Sequence, residues 1–175
     1  MLNKYNKYRV LKVFLYSPLE DFRLRELARL SKISPPSVMN YLKELEKEEF
    51  IIFQNRRGIP FYKANFDGEK FREFKKISIL FEVNNCGLIE FLWDKLSPEA
   101  IILYGSYARG EATEKSDLDL FIVGKENDID ISKYEKYLGM NIHLMFNKYP
   151  ENISVELKNN IINGIVLKGY LKIFK

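Results

Sequence analysis

Residues Tyr104–Val123 read YGSYARGEATEKSDLDLFIV, and this stretch sets the reading of the whole chain. The apolar run before it, AIILYGS, predicts a short strand ending in Gly-Ser. YARGEA then predicts a short helix, TEKS a polar turn, and DLDLFIVG a second strand. Asp117 and Asp119 stand at i and i+2, so on a strand both carboxylates point to one face. Like charges held that way repel unless something positive sits between them. A hard divalent cation that prefers oxygen ligands, Mg²⁺ above all, is the natural partner. Gly105 lets a ligand approach the backbone, and Ser106 with the following amides opens a helix whose N-terminus attracts phosphate. A metal pair beside a phosphate cradle suits in-line attack on a nucleotide phosphorus.

Downstream, ISKYEKYL predicts a helix, MNIHLMF a third strand and PENISVELKNNII a last helix. This alternation predicts an α/β or α+β unit built on a small mixed sheet. Gly105-Ser106, ten intervening residues, and Asp117-Leu118-Asp119 at the head of an apolar strand together resemble the signature of the DNA polymerase beta nucleotidyltransferase superfamily. The segment is similar in particular to its minimal archaeal and bacterial members, over about residues 98–165. The resemblance implies that Gly105 and Ser106 hold the triphosphate of ATP or another NTP. It implies that Asp117 and Asp119 are catalytic and coordinate two Mg²⁺ (or Mn²⁺) ions, with Arg109 and Lys115 of the same loop touching phosphate. The activity implied is transfer of a nucleoside monophosphate, AMP above all, to an acceptor. Minimal members often act as antitoxins that modify a HEPN-type toxin, so the implied partners include such a toxin or another protein acceptor.

One position departs from the family pattern. The third carboxylate belongs on the next core strand, where this chain reads GMNIHLM and places His143; Glu135 lies on the preceding helix, out of register. A neutral imidazole can bind a transition metal or accept a proton, but cannot balance Mg²⁺ charge as a carboxylate does. Three readings therefore stand: a weak enzyme, an enzyme using another metal with His143 in the site, or a degenerate domain that binds nucleotide or a partner without catalysis. The bland alternative is a tolerated polar residue on a sheet face.

The first third of the chain has a different character. Residues 1–66 carry 13 Lys/Arg against 7 Asp/Glu, whereas residues 67–175 carry 15 against 17. A basic segment on a neutral remainder points to a polyanion or simply to a solvated surface. YNKYRVLKVFLY places Tyr8, Leu11, Phe14 and Leu15 on one helical face. RLRELARLSK presents Leu24, Leu27, Ala28 and Leu30. Ser34 is the expected N-cap of a third helix, with Pro35 at its first position and Val38, Leu42 and Leu45 inward. FIIFQN and IPFYKAN then read as two strands around RRG, with Arg56 and Arg57 at the tip and Gly58 in the turn.

Three helices followed by a hairpin resemble a winged helix-turn-helix over about residues 5–66. The resemblance implies that Ser34, Ser37, Asn40, Tyr41 and Lys43 face DNA and that Arg56 and Arg57 lie along phosphates. Asn can read adenine edges, Ser can bind phosphate oxygens and Arg supplies salt-dependent attraction. Docking of a protein and a purely scaffolding role are the competing readings, since ELEKEE at the end of the third helix is acidic. Winged-helix regulators bind paired half-sites, which makes a homodimer an expectation.

The domain organisation expected is therefore α+β: a winged helix-turn-helix over 1–66, a helical connector over 67–97, and a nucleotidyltransferase-like unit over 98–175. In the connector, Phe71, Phe74, Ile77 and Phe81 are helically spaced, as are Leu88, Leu92 and Leu96, around a break at NNCG. Nothing is long and apolar enough to span a bilayer, and MLNKYNKYRV has no apolar core of signal-peptide length. Cys86 is the single cysteine, which points to a reducing, cytoplasmic setting with no membrane contact. Two functions are open: a nucleotidyl-transferring enzyme, and a DNA-binding regulator whose second unit senses a nucleotide or docks a partner.

Overall fold

A computed structural model describes residues 5–147 and 153–172. The chain divides into two compact units, residues 1–75 and 76–175.

In the first unit, helix α1 (Asn6–Tyr16) buries Tyr8, Val10, Leu11, Phe14 and Leu15. Helices α2 (Leu24–Ser31) and α3 (Pro35–Lys47) follow, separated by a turn in which Lys32 takes the left-handed conformation. Ser34 stands at the N-cap of α3 with prolines directly after it, as the sequence predicts. Its hydroxyl meets Ser37 Oγ at 2.9 Å and makes no capping bond to the backbone. Leu27, Val38, Leu42 and Leu45 are fully buried, so the helical spacing finds the core face. Leu30, expected inward, is 46% exposed, because it falls on the solvent side of a two-turn helix already anchored by Leu27 and Ala28.

Strands β2 (Ile51–Arg56) and β3 (Ile59–Ala64) pair antiparallel, with Arg56 opposite Ile59. The two-residue loop is Arg57-Gly58, both at positive φ (54° and 79°), the geometry whose twist matches a hairpin. Asn55 Oδ1 accepts the Gly58 N–H at 2.9 Å and fixes the turn. A two-residue strand, β1 (Asp21–Phe22), adds to the other edge of β3, giving the order β1-β3-β2.

Helix α4 (Glu69–Asn85) supplies both cores: Phe71 joins the first, and Ile79 and Val83 join the second. Ile77, expected on the buried stripe, is 57% exposed; the inward positions run Phe71, Ile79 and Val83, a register that leaves it outside. Gly87, at φ +79°, breaks the helix and starts α5 (Leu88–Leu96).

The second unit is built on four strands: β4 (Ala100–Leu103), β5 (Leu118–Val123), β6 (Ile142–Phe146) and β7 (Ile165–Gly169). Their order is β6-β5-β4-β7. β5 and β6 run parallel and the other neighbours antiparallel, so the sheet is mixed. One face, with Ile101, Leu103, Leu118, Leu120 and Ile122, packs on α4, α5 and α7 (Ser132–Leu138). The other face, with Ala100, Ile102, Tyr104, Phe121 and Val123, packs on Ile161 of α8 (Val155–Ile162). The last helix was expected from Pro150; residues 150–152 lie outside the described residues, and α8 begins at Val155. Among the described residues no helix is long and apolar enough to cross a membrane.

Candidate functional site

Helix α6 (Gly105–Arg109) is a single turn set between β4 and β5. It begins at Gly105, whose φ is +72°. A Cβ built there would lie 2.4 Å from Asp119 Oδ2, so the Asp119 carboxylate presses directly onto the glycine backbone. That contact explains why Gly precedes Ser106: both the dihedral and the space exclude a side chain. The α6 turn is closed at its other end by Gly110, whose N–H bonds Tyr107 O, and by Glu111 N–H to Ser106 O at 2.9 Å.

Asp119 sits within β5 and Asp117 just before it. Alternation sends Leu118, Leu120 and Ile122 into one core and Phe121 and Val123 into the other. Asp117 and Asp119 share the face of Phe121 and Val123. In the parallel β5–β6 pairing His143 stands beside Asp119. The same alternation, with Leu144 in the first core and Met145 against the second, puts His143 on the carboxylate face. His143 Nδ1 lies 3.3 Å from Asp119 Oδ1. Asp117 Oδ1 accepts from Asn141 Nδ2 at 3.0 Å, a contact the sequence pattern did not foretell. Glu135 is engaged elsewhere, its carboxylate accepting the Ile142 N–H at 3.0 Å.

The pair fits a hard cation by donor chemistry: two carboxylates on one strand face, neither ion-paired to Lys or Arg among the described residues. Among the same residues, no group of three or more His, Cys, Asp or Glu is arranged to hold a metal. Two buried tyrosines feel the charge of the carboxylates. Burial, and secondarily the Asp117 charge, pushes the Tyr107 hydroxyl up to about 12. Burial and the Asp119 charge raise Tyr104 in the same direction. Both phenols therefore stay protonated at neutral pH.

The other loop residues are placed more loosely. Arg109 is exposed and pairs with Glu111 at 2.8 Å, and Lys115 is exposed on the turn before β5. Gly105, Ala108 and Arg109 border a hollow of about 240 Å³, whose opposite wall is Asn159, Asn160 and Asn163 of α8 and its C-cap. The sequence reading passed over these asparagines; the signal was present as two adjacent Asn and a third one turn on, ahead of a glycine.

In the first unit, Ser34, Asn40 and Lys43 are exposed along α3, and Ser37 is half-buried. Tyr41 is half-buried against the core, so only part of it is offered outward. Arg56 is the last residue of β2 rather than part of the turn. Its guanidinium pairs with Asp21 at 2.6 Å, donates to Gln54 at 2.6 Å and lies over the Phe61 ring. Arg57 occupies the turn itself. Lys7 pairs with Glu44 and Glu48, which offsets the acidic end of α3.

With this geometry in place, the comparisons with known proteins are specific. The family model for the nucleotidyltransferase domain matches residues 86–167, and that for a winged helix-turn-helix DNA-binding domain matches residues 23–52. Three proteins of Methanocaldococcus jannaschii, each bearing the name "Putative protein adenylyltransferase", are similar in sequence. One is 38% identical over 71 residues, covering 36% of this chain and 71% of its own length. A second is 37% identical over 87 residues, covering 43% of this chain and 57% of its own length. The third is 63% identical over a short segment of 30 residues, 17% of this chain and 27% of its own length. No solved structure matches. The chain belongs to the nucleotidyltransferase family and carries a winged helix-turn-helix domain ahead of the nucleotidyltransferase domain.

Proposed function

We propose that this protein transfers AMP from ATP to a hydroxyl of a separate protein, with Asp117 and Asp119 as the metal-binding carboxylates and Gly105-Ser106 as the triphosphate turn. The observation that carries this reading is the contact between Asp119 and Gly105. It sets one carboxylate of the strand-face pair against a backbone turn that only glycine can form and that a phosphate could approach closely. Bound Mg²⁺ or Mn²⁺ would neutralise that charge and stabilise the attacking and leaving oxygens. Asn141 orients Asp117, and His143, beside Asp119, stands where a third acid would accept the acceptor's proton. Arg109 and Lys115 border the turn as phosphate contacts. The names of the relatives support a protein acceptor, and a HEPN-type toxin modified by an antitoxin is the acceptor that the family resemblance suggests.

The test is incubation with labelled ATP, Mg²⁺ or Mn²⁺ and a candidate toxin encoded beside it. Label on the partner that disappears in Asp117→Asn supports the reading; label that persists in that variant removes it.

A second reading rests on a different observation. His143 replaces a carboxylate in register with Asp119, which favours a nucleotide-sensing domain attached to a DNA-binding regulator in the cytoplasm. In that reading Ser34, Ser37, Asn40 and Lys43 meet base edges and phosphates, with Tyr41, Arg56 and Arg57 alongside, and a homodimer binds two half-sites. Restoring the acid separates the two. His143→Asp should raise Mg²⁺ affinity and bring label transfer up about tenfold or more if the site is catalytic, and should yield no transfer if the domain only senses nucleotide.

A further inference from the structure

The hollow between α6 and α8 has a composition that singles out one kind of ligand. Its lining is Gly105, Ala108, Arg109, Asn159, Asn160 and Asn163, with no carboxylate. Three side-chain carboxamides on one helical face offer donors and acceptors side by side without charge. At about 240 Å³ the hollow is smaller than the roughly 300–1,000 Å³ of sites that enclose a drug-sized ligand. It suits a single heteroaromatic ring system rather than a whole nucleotide.

Its position is built, not incidental. Gly164 follows the α8 C-cap, and a Cβ there would meet Leu103 O at 2.6 Å and Ile102 at 2.9 Å. This close approach ties the end of α8 to the end of β4, two residues before Gly105. Ile165 then pairs with Leu103 in the sheet, so the Asn163 corner is held by backbone on both sides. Asn163 Nδ2 donates to Asn159 O at 2.8 Å, which fixes that carboxamide and leaves its oxygen as acceptor. Asn160 is half-buried on the same wall. Gly105 is common to both features, with Asp119 against it and the hollow beside it.

We infer that the Asn159, Asn160 and Asn163 wall of α8 is the base-recognition surface of the nucleotide site and selects adenine. This inference rests on the proposed nucleotidyl-transfer reading. A carboxamide pairs bidentately with the N6 amino group and N7 acceptor of adenine, whereas guanine presents an acceptor where adenine presents the amino group. Asn160, with Asn163 held beside it, supplies that contact, and Arg109 takes the ribose–phosphate side.

The test compares three probes on the full chain in Mg²⁺ by calorimetry: a non-hydrolysable ATP analogue, the matching GTP analogue, and inorganic tripolyphosphate. The unaltered protein is expected to bind the ATP analogue about tenfold more tightly than the GTP analogue. Asn160→Ala, and independently Asn163→Ala, should weaken the ATP analogue by about tenfold and abolish the preference. Tripolyphosphate binding should be unchanged in both variants, which also shows that they fold. If the variants keep both the affinity and the preference, base recognition by α8 is overturned while the phosphate site stands. If the unaltered protein binds neither nucleotide nor tripolyphosphate, the nucleotidyl-transfer reading falls and base selection with it.

Discussion

In the winged helix-turn-helix unit, Arg56 is held by Asp21 and Gln54, Lys7 by Glu44 and Glu48, and Lys70 by Glu49. In the nucleotidyltransferase unit, Asp117 and Asp119 share a strand face, and their side-chain partners among the described residues are Asn141 and His143. The first unit therefore pairs several of its basic side chains with its own acids, while in the second no Lys or Arg among the described residues pairs with Asp117 or Asp119. A balanced charge costs little to keep and says little about function. An unbalanced pair at the head of a core strand is costlier to keep, which is why the Asp pair carries more functional information than the larger basic count.

The largest expected effect breaks this contrast at its stronger end. If the proposed transfer is correct, Asp119→Asn should lower label transfer by at least about 100-fold, since it removes one of the two carboxylates that would hold the metals. The same change relieves repulsion with Asp117, so the thermal unfolding midpoint should stay level or rise. Arg56→Ala, its counterpart in the first unit, should cost no more than about 1 kcal/mol, because the Asp21 pair is half exposed, and should leave transfer unchanged. A midpoint that falls sharply for Asp119→Asn would mean that the aspartate is structural.

Two glycines sharpen the comparison further. Gly58 and Gly105 both sit at positive φ, 79° and 72°. Nothing lies within 4 Å of a Cβ on Gly58, so Gly58→Ala should cost only the left-handed strain of about 1 kcal/mol. Gly105→Ala adds a clash with Asp119 Oδ2 and should cost about 2–3 kcal/mol while displacing the carboxylate and reducing transfer. Denaturant unfolding of the two variants measures the difference; equal losses would show that the Asp119 contact does not constrain the turn.

A smaller effect concerns the wing. Arg57 has no ion-pair partner among the described residues, unlike Arg56. If the wing follows a DNA backbone, Arg57→Ala should weaken binding to the duplex upstream of its own gene severalfold and lower the salt slope by about one. Arg56→Ala should change that slope less, because its charge is already offset by Asp21. Equal slopes in the two variants would show that the internal pair does not mute Arg56.

Much of this contrast was readable before any coordinates. Asp117 and Asp119 declare themselves by a two-residue period on an apolar strand, and the resemblance puts His143 where an acid is expected, a position the parallel β5–β6 pairing sets beside Asp119. RRG declares a hairpin, although Arg56 closes β2 and only Arg57-Gly58 form the loop. What escaped depends on pairing between distant segments. β1 is two residues long and has no period to detect. β7 is defined by pairing with β4, more than 60 residues earlier, although the run Ile165–Leu167 has strand character. Gly164 looks like an ordinary helix stop, and only the 2.6 Å approach of Leu103 O gives it a second role. Leu30 and Ile77 failed for a simpler reason: one apolar residue fits more than one helical face, and the neighbours decide which face is buried.

The smallest effect reports on the charge of the pair itself. Burial, and then the Asp117 charge, carries Tyr107 up to about 12 against an ordinary value of 10.0. Since its folded value is raised, the contribution is fully present below pH 10 and fades as pH climbs toward 12, where the unfolded chain has already released the proton. Stability should therefore fall across pH 10–12, and Tyr107→Phe should flatten that fall by on the order of 2 kcal/mol. Asp117→Asn removes only the smaller of the two causes, so it should shift the alkaline slope by a fraction of the Phe effect. Denaturant midpoints taken every half pH unit resolve the two. If Asp117→Asn matched Tyr107→Phe, the carboxylate rather than burial would dominate Tyr107, and the negative charge of the Asp pair would reach further into the sheet than its exposed position implies.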